Sequence, residues 1–115
     1  PLEASVGSSV GRKARGAAHA SNLFTRDSGL RFTRGAERLV LYKLPGARYF
    51  AQAFCRDCGG RLPRLDSERK LAVVPMGSLD DDPGVRPQWH QWVESAPDWD
   101  PIPDDGLLRF PQGRH

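Results

Sequence analysis

The chemistry is most evident at Cys55 and Cys58, the only cysteines among 115 residues, in the run Phe54-Cys55-Arg56-Asp57-Cys58-Gly59-Gly60. Two thiolates separated by two residues on a tight turn can face one tetrahedral Zn²⁺. Glycine after the second frees the backbone to curl back toward the metal. Such a knuckle supplies two ligands where a structural zinc needs four. Neither His19 nor His90 stands at a spacing that completes the set, and a second copy of the chain would be another source. A thioredoxin-like redox role is disfavoured, because that motif precedes a helix in a βαβ setting, whereas here strand formers lead in and Gly-Gly follows.

Arg12, Lys13 and Arg15 form a basic cluster that could contact an anionic substrate, since the arginine fork matches a carboxylate; a solvated basic loop is the plainer reading. No aromatics interleave the cluster to stack on bases, so a nucleic-acid partner is not expected. Formal net charge is +3, with most Lys and Arg in residues 1–70 and a run of aspartates, from Asp80 to Asp105, in the last third. Asp80 to Asp82 read as a solvated turn, His90 as a packed or edge histidine, and Trp89, Trp92 and Trp99 as core and rim. No Ser–His–Asp or Cys–His order suggests a hydrolytic nucleophile.

The elements that must position these residues are short strands. Residues 1–11 carry no sustained apolar period and read as a disordered or degenerate lead-in to a domain over 12–110, with 111–115 as a tail. Asn22-Leu23-Phe24-Thr25 is extended, and Leu30-Arg31-Phe32-Thr33 alternates as a strand would. Glu37 to Leu44 and Arg48 to Phe54 are rich in β formers and flank Pro45-Gly46, a turn signal, so they make a hairpin whose second strand runs into Cys55. Arg69 to Met76 is a short apolar run suited to a buried strand, Gln88 to Val93 alternates, and the Pro-punctuated segment beyond Pro97 wraps as extended chain. No apolar run approaches the ~20 residues of a membrane-spanning helix, and no secretory signal opens the chain. With that cysteine usage, a reducing cytoplasmic setting is expected. The fold class is mostly β, with few or no long helices. The start at Pro1, not Met, is what a fragment or a processed form would show.

Over residues 12 to 110 the chain resembles the zinc-dependent family of glutathione-dependent formaldehyde-activating enzyme and centromere protein V. The stretches that carry the likeness fall in order: Arg12-Lys13-Ala14-Arg15-Gly16, Asn22-Leu23-Phe24, Phe32-Thr33-Arg34-Gly35, Phe54-Cys55-Arg56-Asp57-Cys58-Gly59, Met76-Gly77-Ser78-Leu79-Asp80 and Trp99 with Pro103-Asp104-Asp105. The resemblance implies a β-tent, a group of small antiparallel sheets around a zinc knuckle. It also implies carbon–sulfur lyase chemistry on glutathione-type thiol adducts such as S-hydroxymethylglutathione. Arg12 and Lys13 would then be substrate-binding residues, and Cys55 and Cys58 half of a structural zinc site whose partners, an early C-x-C pair, would lie upstream of Pro1.

The likeness breaks at one place. Counting back from Arg12-Lys13, the three catalytic cysteines of the family pattern fall on Val6, Ser8 and Gly11. A neutral hydroxyl is a poor zinc ligand and glycine has no side chain, so the catalytic zinc is not expected. The expectation is therefore a weakly active or inactive member. The alternative is a non-catalytic zinc-knuckle scaffold with a basic face for an anionic partner.

Overall fold

The structure, a computed structural model, describes residues 3–7, 15–46 and 51–114, the first of these as backbone only. Arg12 and Lys13, with Ser8 and Gly11, lie outside them. The described residues fold as two small sheets, mostly antiparallel, with single 3₁₀ turns between strands. Among the described residues no helix is long and apolar enough to cross a membrane.

The larger sheet is centred on the pairing of β2 (Ala20–Arg26) with β7 (Leu71–Pro75), in register from Asn22↔Pro75 to Arg26↔Leu71. Leu23 and Phe24 are consecutive, so they point to opposite faces, and both are buried. Leu23 and Val74 pack against Met76, Leu79 and Val85 on one face. Phe24, Val73 and Trp89 form the other cluster with Leu71 and Phe110, and the Phe24 and Trp89 rings stack at 6.2 Å. Apolar residues at consecutive positions are what a strand buried on both sides requires, and Leu71 to Val74 has that composition.

Around this pair the sheet has the order β6-β7-β2-β1-β8-β9. β6 (Arg64–Asp66) closes a hairpin with β7, whose turn ends on Lys70 at φ 54°. The Asp66 carboxylate accepts the backbone N–H of Arg69 at 3.1 Å and its guanidinium Nε–H at 2.7 Å, which holds that turn. β1 (Glu3–Gly7) pairs antiparallel with β2, so residues expected to be an irregular lead-in contribute an interior strand. Beyond it, β8 (Trp89–Gln91) and β9 (Leu108–Arg109) add in parallel.

The smaller sheet has β4 (Ala51–Cys55) between β3 (Leu39–Lys43) and β5 (Arg61–Leu62). Pro45-Gly46 turns as expected, with Gly46 at φ 82°, but Lys43 pairs with Ala51, so the connection is longer than a tight Pro-Gly link. Pro63 separates β5 from β6 and marks the switch of the chain from the small sheet to the large one. Lacking an N–H, it cannot extend either ladder.

Two further expectations need correction. Leu30 to Thr33 is not a strand. The chain leaves β2 through a 3₁₀ turn at Asp27–Gly29, and although burial alternates along 30–33, no neighbouring strand pairs with it. The strand over Gln88 to Val93 is only three residues long, because Trp92 at φ 57° leaves the extended region and a 3₁₀ turn follows at Val93–Ser95.

The last segment does wrap as extended chain. Phe110 N–H donates to the His90 carbonyl at 2.8 Å, Trp92 N–H to the Gln112 carbonyl at 3.1 Å, and the Arg114 guanidinium covers the Trp89 ring at 4.4 Å. His90 is packed, 5% exposed, with Nε2 2.8 Å from the Asp105 carboxylate. Trp89 is core, Trp92 rim, and Trp99 solvent-facing at 71% exposure.

Burial at these sites sets the cost of truncation. Trp89→Ala should lose about 3–5 kcal/mol of stability, while Trp99→Ala should stay within about 0.5 kcal/mol, read from urea unfolding midpoints. Three carboxylates are held below their ordinary value of 3.8. The Arg86 guanidinium, with the Gly84 N–H, lowers Asp82 to about 2. His90, with the Leu107 N–H, lowers Asp105. Burial pushes Asp66 up, but hydrogen bonds from Arg69 and the charges of Arg69 and Arg64 pull it down overall. A depressed folded-state pKa contributes stability that is whole above the ordinary value and is lost as pH falls through the folded value. Stability should accordingly fall as pH drops below 3.8, reaching the Asp82 step near 2. In Asp66→Asn the same pH series should slope less, and an unchanged slope would show that Asp66 contributes nothing to it.

Candidate functional site

The cysteine pair sits on the turn of the β4–β5 hairpin. Cys55 is the last residue of β4, and its backbone N–H donates to the Gly60 carbonyl at 2.9 Å, the rung that closes the ladder. Gly59 N–H donates to the Cys55 carbonyl at 2.7 Å, tightening the loop, and Arg56 N–H to the Arg38 carbonyl at 2.9 Å ties it to the start of β3. Each glycine has its own reason. Gly59 lies at φ 75°, where a Cβ is strained, and a Cβ on Gly60 would stand 3.3 Å from Cys58 Sγ. That closeness lets Gly60 N–H donate to Cys58 Sγ at 3.4 Å.

The turn also aims donors at the first sulfur. The Cys58 backbone, then the Asp57 backbone and the Cys58 side chain, hold the Cys55 thiol below its usual range, against burial and the Asp57 charge, which raise it. Donors aimed at sulfur stabilise a thiolate, the form that ligates metal. The two thiols are free, Cys55 half-buried and Cys58 exposed. The donor chemistry fits two of the four positions of a tetrahedral zinc site. Among the described residues no group of three or more Cys, His, Asp or Glu is gathered to hold a metal. His90 is committed to Asp105, and His19 is exposed.

Of the three residues at the expected catalytic positions, Val6 lies in β1, where its backbone pairs with Ser21 and with His90. Ser8 and Gly11 lie outside the described residues, as do Arg12 and Lys13. Arg15 is described, and its position was not legible in the sequence. Its guanidinium donates to the Asn22 side-chain carbonyl at 3.1 Å and lines a cavity of about 90 Å³ between the two sheets. Arg61 and Arg64, on either side of Pro63, line the same cavity. Their only sequence signal is two arginines flanking a proline. A second, larger cavity of about 470 Å³ lies under the wrapping segment, with His90 and Asp105 in its wall and several prolines around them.

Replacing Gly59 tests the turn itself. Gly59→Ala should cost about 1–3 kcal/mol in urea unfolding because of its left-handed backbone. Gly77→Ala, at a position with open space and no positive φ, should be close to neutral.

A cysteine turn on a strand hairpin, within a fold of small sheets, is the arrangement found. A model of the family described as glutathione-dependent formaldehyde-activating enzyme matches residues 9–95, a span that takes in the knuckle, the central β2–β7 pair and the whole small sheet. No curated protein shows a significant match to the chain. With most of its length matched by that family, and with the mostly β fold and the cysteine turn in place, the chain belongs to the glutathione-dependent formaldehyde-activating enzyme family.

Proposed function

We propose that this chain is a zinc-knuckle β domain whose family chemistry is carbon–sulfur bond lysis on glutathione-type thiol adducts, carried weakly or not at all by the chain as written. Family membership suggests a glutathione-related formaldehyde-activating or lyase role, and proteins of the family generally bind zinc. The observation that carries the metal reading is the Cys55–Cys58 turn, whose backbone N–H groups already favour the thiolate before any metal arrives. Cys55 and Cys58 would hold zinc in a structural role, fixing the β4–β5 hairpin, with the remaining ligands supplied from outside the described residues. Arg12 and Lys13 would contact the carboxylates of the thiol adduct, and the cytoplasm, where glutathione-type thiols stay reduced, is the proposed setting.

The activity reading is limited by residue type. Val6, Ser8 and Gly11 offer no thiolate, so no lyase step is assigned to this chain's own residues. The second reading, a non-catalytic domain holding an anionic partner, is favoured by the gathering of Arg15, Arg61 and Arg64 between the sheets.

Elemental analysis of protein purified without added metal tests the metal reading. Zinc bound at up to about one per chain, or about one per two chains where a second copy completes the four ligands, and lost in Cys55→Ser and Cys58→Ser, is the expected result. No zinc would remove the structural site, and about two per chain would overturn the absence of a catalytic one. Turnover of S-hydroxymethylglutathione should be at background. Should the combined Val6→Cys, Ser8→Cys, Gly11→Cys variant gain neither zinc nor turnover, the assignment of those three positions is wrong.

A further inference from the structure

The small cavity between the sheets has an unusual wall. Three guanidiniums, from Arg15, Arg61 and Arg64, line it together with two side-chain amides, Asn22 and Gln52; the rest of the described lining is apolar and includes no carboxylate. The fold brings them together from both sheets. Asn22 and Val73 lie on β2 and β7, and Arg64 pairs directly with Val73, so these three occupy one face of the large sheet. Arg61 and Gln52 come from β5 and β4 of the small sheet, which Pro63 joins to the large one.

The amides orient the arginines. Asn22 Oδ1 accepts from Arg15 at 3.1 Å, and the Gln52 carbonyl, turned toward Arg61, accepts from its two terminal nitrogens at 2.9 and 3.2 Å. In both cases the amide accepts with its oxygen, so each NH₂ remains a donor. Gathering like charges in a half-buried cleft is costly. Burial, then the charge of Arg61, holds the Arg15 guanidinium below its usual range; burial lowers Arg64 as well, with Asp66 opposing and Arg69 and Arg15 adding to the shift. The Arg64 side chain is only 14% exposed, and its guanidinium also stands 3.9 Å from the Asp66 carboxylate. A bound anion would offset that cost with charge-assisted hydrogen bonds, in the fork geometry that arginine gives to carboxylates and phosphates. At about 90 Å³ the cavity is smaller than the ~150 Å³ that accepts a benzene ring, so it suits an anionic group carrying few further atoms.

We propose that Arg15, Arg61 and Arg64, with Asn22 and Gln52, form a binding site for a small oxyanion, the carboxylate or phosphate group of a small molecule. This deepens the second reading above and does not depend on metal at the knuckle. Isothermal titration with inorganic phosphate and, separately, with malonate, at matched ionic strength, tests it. Saturable binding of one ion per chain by at least one of the two is expected, and whichever binds identifies the oxyanion type. Arg15→Gln and Arg61→Gln should each weaken it about tenfold or more, whereas Arg86→Gln, at an exposed arginine paired with Asp82 elsewhere, should bind as the native chain does. Where near-ultraviolet circular dichroism shows that a Gln variant has not folded, Arg61→Lys replaces it: the charge stays, the fork is lost, and affinity should still fall several-fold. Saturation by neither anion, or equal binding by the folded arginine variants, would overturn the site. The scaffold reading fails separately, through lyase turnover.

Discussion

The pairing of β2 with β7 is the constraint that the rest of the structure answers to. Two adjacent strands carry Leu23 and Val74 on one face and Phe24 and Val73 on the other, so both faces of the sheet must be covered. Among the described residues no long helix covers either. One face takes the turn region from Met76 to Val85; the other takes Trp89 and the wrapping segment with Phe110. The hydrogen bonds that fasten that segment, from Phe110 to His90 and from Trp92 to Gln112, and the His90–Asp105 contact follow from the same need, because a cover without helical structure must satisfy its backbone groups against the sheet it covers.

The small sheet meets that second face further along, and the two features of chemical interest arise at its ends. At its outer end the β4–β5 hairpin turns through Cys55 to Gly60, far enough from the core for Cys58 to be exposed. At its inner end, the chain crosses at Pro63 into β6 and leaves arginines from both sheets around one cavity. The knuckle is organised by short-range backbone hydrogen bonds and would keep its shape in many contexts. The arginine cavity exists only because the two sheets face each other. Its half-buried charges are a local cost to stability, a pattern associated with sites that bind.

Within its family the chain combines retained and altered parts. The turn that presents two thiols is in place down to the glycines that allow it, while the positions at which the resemblance leads one to expect catalytic cysteines hold Val6, Ser8 and Gly11. A hairpin turn is stabilised by its own backbone and by the sheet beneath it, so it can persist when a metal site elsewhere is lost. A three-thiolate site has no such independence, since each missing ligand removes a bond to the metal.

The sequence by itself determined the parts whose physics is local. β formers between Gly and Pro punctuation gave the mostly β class; Arg69 to Met76 read as a buried strand; and Cys-x-x-Cys-Gly-Gly announced its turn, since two thiols and a left-handed glycine need only their neighbours. The identity of residues 6, 8 and 11 was equally plain. Only the tertiary structure decided what depends on partners. Leu30 to Thr33 alternates like a strand yet pairs with none among the described residues, and Gln88 to Val93 is cut short by the backbone turn at Trp92. The parallel addition of β8 and β9, the engagement of His90 by Asp105, and the meeting of Arg15 with Arg61 and Arg64 all join residues distant in the chain. Alternation and spacing report which face a residue takes, and packing alone decides what that face meets.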